Sequence, residues 1–417
     1  MRILHISTRL ILGGSQENTV LSCEEQARRG HDVHLAFGPI FGPEGSMRPR
    51  VEAFNHNASA TGTQPISLHE VPALLREVRP SQDLRAKRSL TELIERLSPD
   101  VVHTHSSKAG IVGRLAAWSV KERRGGSPRV IHTIHGPPFM PVEGSPARRF
   151  GVRIMNGVYA AAERKAALHC DAIISVADAM TRQFLERGIG RPEQFTTVRS
   201  GMEVGRFLQA AGERAAGRVR LHLRPSDAVI GTVARLAEHK GHDDVLTALL
   251  ADLRANPGWK LLWVGDGWWR QRLVRRATAE SGLRTCQLDL GETPNDSTQL
   301  ILTGMVSPDE IPGLMGVMDI LLHPSLREGL PRTVPQALLA GACPVAYDVD
   351  GTREVCIDGE TGRLVRPHDM DGLRDAIRMM VASPELRARW VTNGKVLVER
   401  EFTVKAMCDG LERVYGI

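Results

Sequence analysis

The sequence predicts an α/β protein made of two nucleotide-fold domains with parallel sheets. Short, almost continuous apolar runs recur, each followed by a helical stretch, which is the alternation of βαβ units. The alternation breaks over residues 188–192, then starts afresh with the apolar run 228–233. At 417 residues the chain also exceeds what one ordinary core accommodates.

The elements follow in order. The opening MRILHIS reads as a buried parallel strand, Leu12-Gly13-Gly14-Ser15 as a turn, and residues 16–29 as a helix stopped by Gly30. Residues 33–37 form the next strand. The stretch 38–82, rich in Gly, Pro, Asn and Ser, gives no clear element. Helix 83–97 ends at Ser98-Pro99, and strand 100–105, helix 108–121 and strand 129–134 come after it. A long basic helix over 146–168 precedes strand 171–176, helix 177–187 and strand 195–199. After Phe207 an Arg-rich helix leads to strand 228–233, helix 243–255, strand 260–264 and helix 268–281. Strands 299–303, 319–323 and 344–347 then alternate with helices 308–315 and 334–339, and helices close the chain from about 372. The expected domains are 1–195 and 196–395, with 396–417 a terminal helix returning to the first domain. Ligand is expected between the two domains, beside the C-terminal ends of the strands.

Composition narrows the function. An apolar fraction of 42% with 24% charged residues excludes disordered, collagen-like and coiled-coil chains. No apolar run approaches a membrane span and no leader precedes the first strand, so the expectation is a soluble cytoplasmic protein. A net charge of +6 suits a polyanionic small substrate or an anionic membrane surface and is too small to argue for nucleic acid. The six cysteines are scattered without a CxxC pair, the pattern of reduced, packed thiols rather than metal or redox chemistry.

Several residues just after strands could carry chemistry. Gly13-Gly14 lets backbone approach a ligand at a helix N-terminus, although such a pair is more often only a tight turn. It lacks the GxGxxG fingerprint, which disfavours an oxidoreductase. His103, His105, His132 and His135 cluster at two strand ends without a cysteine or carboxylate at ligand spacing, so structural or substrate contacts are favoured over a metal. Of these, His135, in His135-Gly136-Pro137-Pro138, is the foremost substrate contact in the first half. Arg235 and Lys240, five residues apart in a loop after a strand, suit a diphosphate, against the alternative of a solvated basic loop. In the stretch 323–331, Glu328 sits in a turn bearing Pro, Ser and Gly, and Pro335 fits the first turn of the next helix. That helix start offers backbone N–H groups and the positive end of its dipole. A surface glutamate in a loop is the plain alternative.

The chain resembles the family 4 retaining glycosyltransferases of GT-B fold. The resemblance rests on ILGGSQE, PDVVHTHSSKAG, VIHTIHGPPF, IGTVARLAEHKG, LLWVGDG, ILTGMVSPDEIPGLMGVMDILLHPSLREGLP and GTREVCIDGETGRLV, and covers nearly the whole length. HTHSSKAG and HTIHGPPF look most like the branch that builds cell-surface polysaccharides or lipid-linked glycans. The resemblance implies two Rossmann-like domains facing across a cleft, acceptor side first and nucleotide-sugar side second. It also implies transfer of a hexose from a UDP- or GDP-sugar to a hydroxyl acceptor, with no metal and no cofactor beyond the donor. By resemblance, Arg235 and Lys240 hold the diphosphate, and Glu328 opens the family's E-x7-E motif and binds the transferred sugar. Gly329, Leu330 and Pro331 present backbone, Gly14 belongs to the glycine loop, His135 lies beside the reacting sugar, and Met305 and Val306 lie near the nucleobase. Lys108 falls on the acceptor half. The implied catalytic set is Glu328, His135, Arg235 and Lys240.

The sequence departs from the family at Gln336, where the second glutamate usually accepts from the ribose hydroxyls. Glutamine keeps an acceptor oxygen and loses the charge. The departure motivates one alternative, a non-catalytic sugar-nucleotide-binding homologue; a GT-B epimerase or phosphorylase is another. The basic stretches 114–129 and 148–165 read equally as solvated faces or as peripheral contacts to anionic lipid at the inner face of the plasma membrane.

Overall fold

The computed structural model describes residues 1–40, 45–140 and 145–417. The chain divides into two compact units, Met1–Met202 with Val404–Ile417, and Glu203–Thr403.

The first unit runs β1 (Arg2–Arg9), α1 (Gly14–Arg28), β2 (Asp32–Gly38), α2 (Arg48–Thr61), β3 (Ser67–Glu70), α3 (Pro80–Leu97), β4 (Val101–His105), α4 (Ser107–Arg123), β5 (Arg129–Ile134), α5 (Pro146–Ala167), β6 (Ala172–Ser175), α6 (Asp178–Leu185) and β7 (Phe195–Thr197). Its parallel sheet has the order β3-β2-β1-β4-β5-β6-β7. Ile3, Leu4 and Ile6 of β1 are all fully buried, because helices cover both faces of the sheet; this is why the strand reads as a nearly unbroken apolar run.

The second unit runs α7 (Val204–Gly212), α8 (Arg214–Arg220), β8 (Ala228–Val233), α9 (His242–Ala255), β9 (Trp259–Val264), α10 (Arg270–Arg275), β10 (Thr285–Gln287), β11 (Leu300–Leu302), α11 (Ile311–Gly316), β12 (Ile320–His323), α12 (Thr333–Ala340), β13 (Cys343–Tyr347), β14 (Arg363–Val365), α13 (Met370–Ala382) and α14 (Pro384–Glu401). Its parallel sheet has the order β10-β11-β9-β8-β12-β13-β14. The last helix, α15 (Val404–Tyr415), belongs to the first unit, where Arg29, just after α1, pairs with Glu412 at 2.7 Å and Met407 and Leu411 enter the core beside Leu21.

The unit boundaries differ from the expected 195/196 and 395/396. Phe195–Thr197 pairs with β6, which keeps it in the first sheet and moves the division past Met202. Helix α14 packs on α12 so tightly that a Cβ on Gly394 would lie 2.4 Å from Leu338 Cδ2, which holds that helix in the second unit. The stretch 38–82 contains α2 and the edge strand β3. The expected helix 268–281 is α10 followed by a π turn over Arg276–Glu280. All six cysteines are buried free thiols. Among the described residues no helix is long and apolar enough to cross a membrane.

Candidate active site

In the second sheet the chain leaves β8 towards β9 on one side and reaches β12 on the other, so the strand order reverses between β8 and β12. Loops leaving the C-terminal ends of strands on either side of such a reversal diverge and open a crevice. Here the loop after β8 carries Arg235 and Lys240, and the loop after β12 carries Ser325 and Glu328.

The two loops touch through backbone. Leu326 N–H donates to His239 O at 2.8 Å. Gly241 has φ +70°, and a Cβ there would lie 2.1 Å from Pro324 O, so only glycine passes. This brings Lys240 Nζ to 2.6 Å from Glu328 Oε1 and 3.3 Å from Ser325 Oγ. His323 Nε2, at the end of β12, lies 3.2 Å from the same carboxylate oxygen. From the loop after β13, Asp350 Oδ2 accepts the Glu328 N–H at 2.8 Å, and Gly351 N–H donates to Gly329 O at 3.1 Å.

Electrostatics fixes the charge state of this pair. Burial would raise the Glu328 carboxyl, but the Lys240 ammonium and then His323 more than offset it and hold the group well below the usual carboxylate range. Glu328 is therefore ionised and only accepts hydrogen bonds. Burial, reinforced by the Lys240 charge, pushes His242 down to about 3 and leaves it neutral.

Other expected residues of this unit make separate contacts. The exposed Arg235 guanidinium lies 5.4 Å from the Trp268 ring centroid, a cation–π contact. Gly304, with φ +70° after β11, pairs with Gly265 and is followed by Met305, which is 67% exposed, and by half-buried Val306. Gly329, Leu330 and Pro331 are buried, and Gln336 lies 9% exposed on α12, with Pro335 in the first turn of that helix as expected.

In the first unit the order reverses between β1 and β4. Gly14 and Ser15 start α1 after β1, and Ser106 precedes α4 after β4; Thr8 Oγ1 links the latter turn through Ser106 Oγ at 2.7 Å. A cavity of about 340 Å³ is lined by Ser15, Ser106, Ser107, His135 and Tyr159, among others. His135 Nε2 lies 3.0 Å from His105 Nδ1. His103 meets Tyr415 OH at 2.7 Å and Thr133 Oγ1 at 2.6 Å, and His132 Nδ1 meets Thr104 Oγ1 at 3.0 Å. His5, His103 and His105 bring ring nitrogens within 4.8 Å of one another, the spacing of a metal cluster. All six of those nitrogens also lie within hydrogen-bond distance of Gln26, Tyr415, Thr133, His135 or each other. Lys108 donates to Glu77 O at 2.6 Å and pairs with Asp83, which assigns its charge to local structure.

Residues 12–206 match the family model described as Glycosyltransferase Family 4, and residues 214–397 match that described as Glycosyl transferases group 1. The chain belongs to the family 4 glycosyltransferases. Among its relatives, the UDP-Gal:alpha-D-GlcNAc-diphosphoundecaprenol alpha-1,3-galactosyltransferase of Escherichia coli is 26% identical over 309 residues, 74% of this chain and 73% of that protein. The capsular polysaccharide biosynthesis glycosyltransferase CapM of Staphylococcus aureus is 23% identical over 351 residues, 84% of each chain. Anabaena HepE, solved in complex with UDP and glucose, superposes with a TM-score of 0.75 at 18% identity, covering 100% of this chain and 99% of that one. The two-unit architecture is the GT-B fold.

The structure of this glycosyltransferase thus joins Lys240 and Glu328 directly, while Arg235, Met305, Val306 and Gln336 lie on neighbouring loops and α12 of the same unit. His135 and Gly14 belong to the first unit. Sequence reasoning missed the roles of His323, Asp350, His5, Gln26 and Tyr415. One signal was present for His5: it stands at the position in β1 that a parallel register sets beside His103, and that is the observed pairing.

Proposed function

We propose that this glycosyltransferase moves a sugar from a UDP- or GDP-sugar to a hydroxyl of a glycan or lipid-linked acceptor, with retention of anomeric configuration and without a metal ion. The observation that carries the reading is the ionised Glu328 held 2.6 Å from Lys240 at the strand-order reversal. Lys240 and Arg235 take the diphosphate, and Glu328 accepts hydrogen bonds from the sugar hydroxyls. Gln336 accepts from the ribose, Met305 and Val306 flank the base, and the backbone of Gly329, Leu330 and Pro331 faces sugar and phosphate. In the first unit His135 contacts the sugar and Gly14 gives the donor a close backbone approach.

In the reaction the bond from the anomeric carbon to the phosphate oxygen breaks, and a bond to the acceptor oxygen forms on the same face. The acceptor proton passes to the departing diphosphate. Lys240, Arg235 and the N-terminal end of α12 stabilise the charge that grows on the leaving group, the work a metal ion does elsewhere. The donor and acceptor classes draw support from the Escherichia coli relative, whose name specifies UDP-Gal and a diphosphoundecaprenol acceptor, and from the UDP and glucose bound to HepE. Nucleoside diphosphate release across a panel of UDP- and GDP-sugars, with lipid-diphosphate sugar acceptors and with EDTA, tests the reading. Expected are acceptor-dependent release insensitive to EDTA and an axial or equatorial product bond matching the donor by NMR. Inversion, or loss of turnover in EDTA that added metal restores, overturns it.

A second observation supports peripheral attachment at the inner face of the plasma membrane. On α5, Phe150, Ile154 and Val158 recur every fourth residue and are 66%, 52% and 66% exposed, next to Arg148, Arg149 and Arg153. An apolar stripe flanked by arginines suits an anionic bilayer surface. The stretch 114–129 does not share this character: Arg114 is fully buried against Glu163, and Arg123 pairs with Glu95. Co-sedimentation with phosphatidylglycerol vesicles, lost in Phe150→Asp, is expected; no binding at low salt overturns it.

A further inference from the structure

His132 stands apart from the other buried imidazoles of the first unit. Along β5 it alternates with Thr133, whose hydroxyl meets His103, so its ring takes the opposite face of the sheet and packs on α4. A Cβ on Gly110 of that helix would lie 2.4 Å from His132 Cε1, so the glycine makes room for the ring. His132 is only 3% exposed, and it lines the cavity of about 340 Å³.

The proton on this ring is placed by groups that cannot donate to it. His132 Nδ1 lies 3.1 Å from Thr104 O, a backbone carbonyl, and 3.0 Å from Thr104 Oγ1, whose own proton goes to Ile131 O at 3.1 Å. Both oxygens accept, so Nδ1 carries the proton. Burial, then the Arg114 charge and the neighbouring imidazoles, push the ring well below the ordinary histidine value and leave it neutral at pH 7. A neutral imidazole has one donor and one acceptor nitrogen. Nε2 is therefore an acceptor, and no described residue offers it a donor. A buried acceptor left unmet is costly, so a partner is expected from the cavity. The Ser106 and Ser107 hydroxyls line that cavity beside the apolar rings of Pro137, Pro138 and Phe184. Such a mixture matches a sugar, with hydroxyls at its rim and C–H groups on its faces.

We propose that this cavity is a sugar subsite and that His132 Nε2 accepts a hydrogen bond from a hydroxyl of the sugar bound there, whether the transferred sugar or the acceptor supplies it. That the ligand is a sugar rests on the function proposed above; the placing of the lone pair does not. His132 is thereby a contact additional to His135, reached from the α4 side of the sheet. It also discriminates: a sugar lacking or inverting that hydroxyl leaves a buried acceptor unpaired, which is the strongest way a site rejects an analogue.

Nitrogen NMR on full-length protein labelled with ¹⁵N-histidine and kinetics of His132→Asn test this together. Asparagine keeps an N–H near the place of Nδ1 for Thr104 O and lacks the Nε2 acceptor; the resonance lost in this variant or in His132→Gln assigns His132. At pH 7.5 the wild type should show Nε2 unprotonated, and its signal should move when substrate binds. A wild-type Nε2–H form overturns the proposal. With a donor and acceptor that turn over, His132→Asn should raise one KM about tenfold, the worth of one hydrogen bond to a buried group, with the other KM within twofold and an unchanged circular dichroism spectrum. The KM that moves tells whether donor sugar or acceptor supplies the hydroxyl. Unchanged values for both, or equal rises in both, overturn the proposal and leave Nε2 to water only. If His132→Asn does not fold, or if no pair turns over and the function proposed above fails, titration of the wild type with UDP-glucose, UDP-galactose and methyl glycosides of glucose and galactose decides alone: an unmoved Nε2 signal overturns the subsite.

Discussion

Lys240 and Glu328 lie 88 positions apart in the chain and 2.6 Å apart in the fold. The pairing arises because β8 and β12 are adjacent in the sheet and their loops are tied by the Leu326–His239 hydrogen bond. It couples the two roles proposed for the loops, since Lys240, the cation proposed for the diphosphate, also keeps ionised the carboxylate proposed to bind the sugar.

Lys240→Ala therefore removes two things at once. The phosphate loses a cation, and the Glu328 carboxyl, still buried, moves up from its depressed value. Transfer should fall about 10²–10³-fold in kcat, the range for losing one charge-stabilising donor at a leaving group. Glu328→Gln should lower kcat while changing inhibition by free nucleoside diphosphate much less, because it leaves the cation in place. Steady-state kinetics with circular dichroism checks both, and turnover within twofold of wild type in Lys240→Ala would remove the site assignment.

Much of this fold was legible in advance because buried parallel strands such as Ile320–His323 and Ala228–Val233 write long apolar runs into the sequence. The strands that escaped are short and peripheral: Thr285–Gln287 and Arg363–Val365 have three residues each and form the two edges of the second sheet. Ser67–Glu70 has no fully buried residue and sits at a sheet edge. In the site, Lys240 and Glu328 could be named from their loops, since position after a strand is a local property. Asp350 and His323 as partners of Glu328, and Tyr415 as a partner of His103, depend on strand order and on the return of the last helix. No local pattern encodes those.

Gln336→Glu tests the one departure from the family pattern. Gln336 is nearly buried on α12, and a carboxylate there would form charge-assisted hydrogen bonds with the ribose hydroxyls, about twice as strong as those to a neutral amide. Affinity for the free nucleoside diphosphate should rise about fivefold by calorimetry, a gain of roughly 1 kcal/mol. An unchanged or weaker affinity would separate Gln336 from ribose recognition.

The buried imidazoles predict acid lability. His5 is pushed down to about 4 and His242 to about 3, with His103, His105 and His132 also well below the ordinary value, in each case mainly by burial. Once unfolded, these rings titrate near 6.5, so below that pH the unfolded chain holds more protons than the folded one. Their contribution to stability is complete above about pH 6.5 and is lost as pH falls towards 4, with His5 alone accounting for roughly 3 kcal/mol. Glu328 acts in the same direction at lower pH, since its depressed carboxyl stabilises the fold above the ordinary carboxylate range and loses that effect on further acidification. Urea midpoints should therefore drop between pH 7.5 and pH 5, before most carboxylates titrate; a flat profile over that interval would contradict neutral buried rings.

The Arg114–Glu163 pair should behave asymmetrically under mutation. Both side chains are fully buried, with Arg114 Nη2 2.6 Å from Glu163 Oε2. Arg114 Nε also donates to Gly110 O at 2.8 Å, and Tyr159 OH donates to Glu163 Oε1 at 2.8 Å. Two charges taken out of water are tolerable only together, because each offsets the desolvation of the other. Glu163→Leu strands the guanidinium and should cost about 3–5 kcal/mol in unfolding free energy. Arg114→Met combined with Glu163→Leu removes both charges and keeps comparable volume, so the double variant should recover most of that loss. Chemical denaturation of the single and double variants distinguishes this from a packing effect: if the two substitutions simply add, the pair is holding the helices by shape and its charge is incidental.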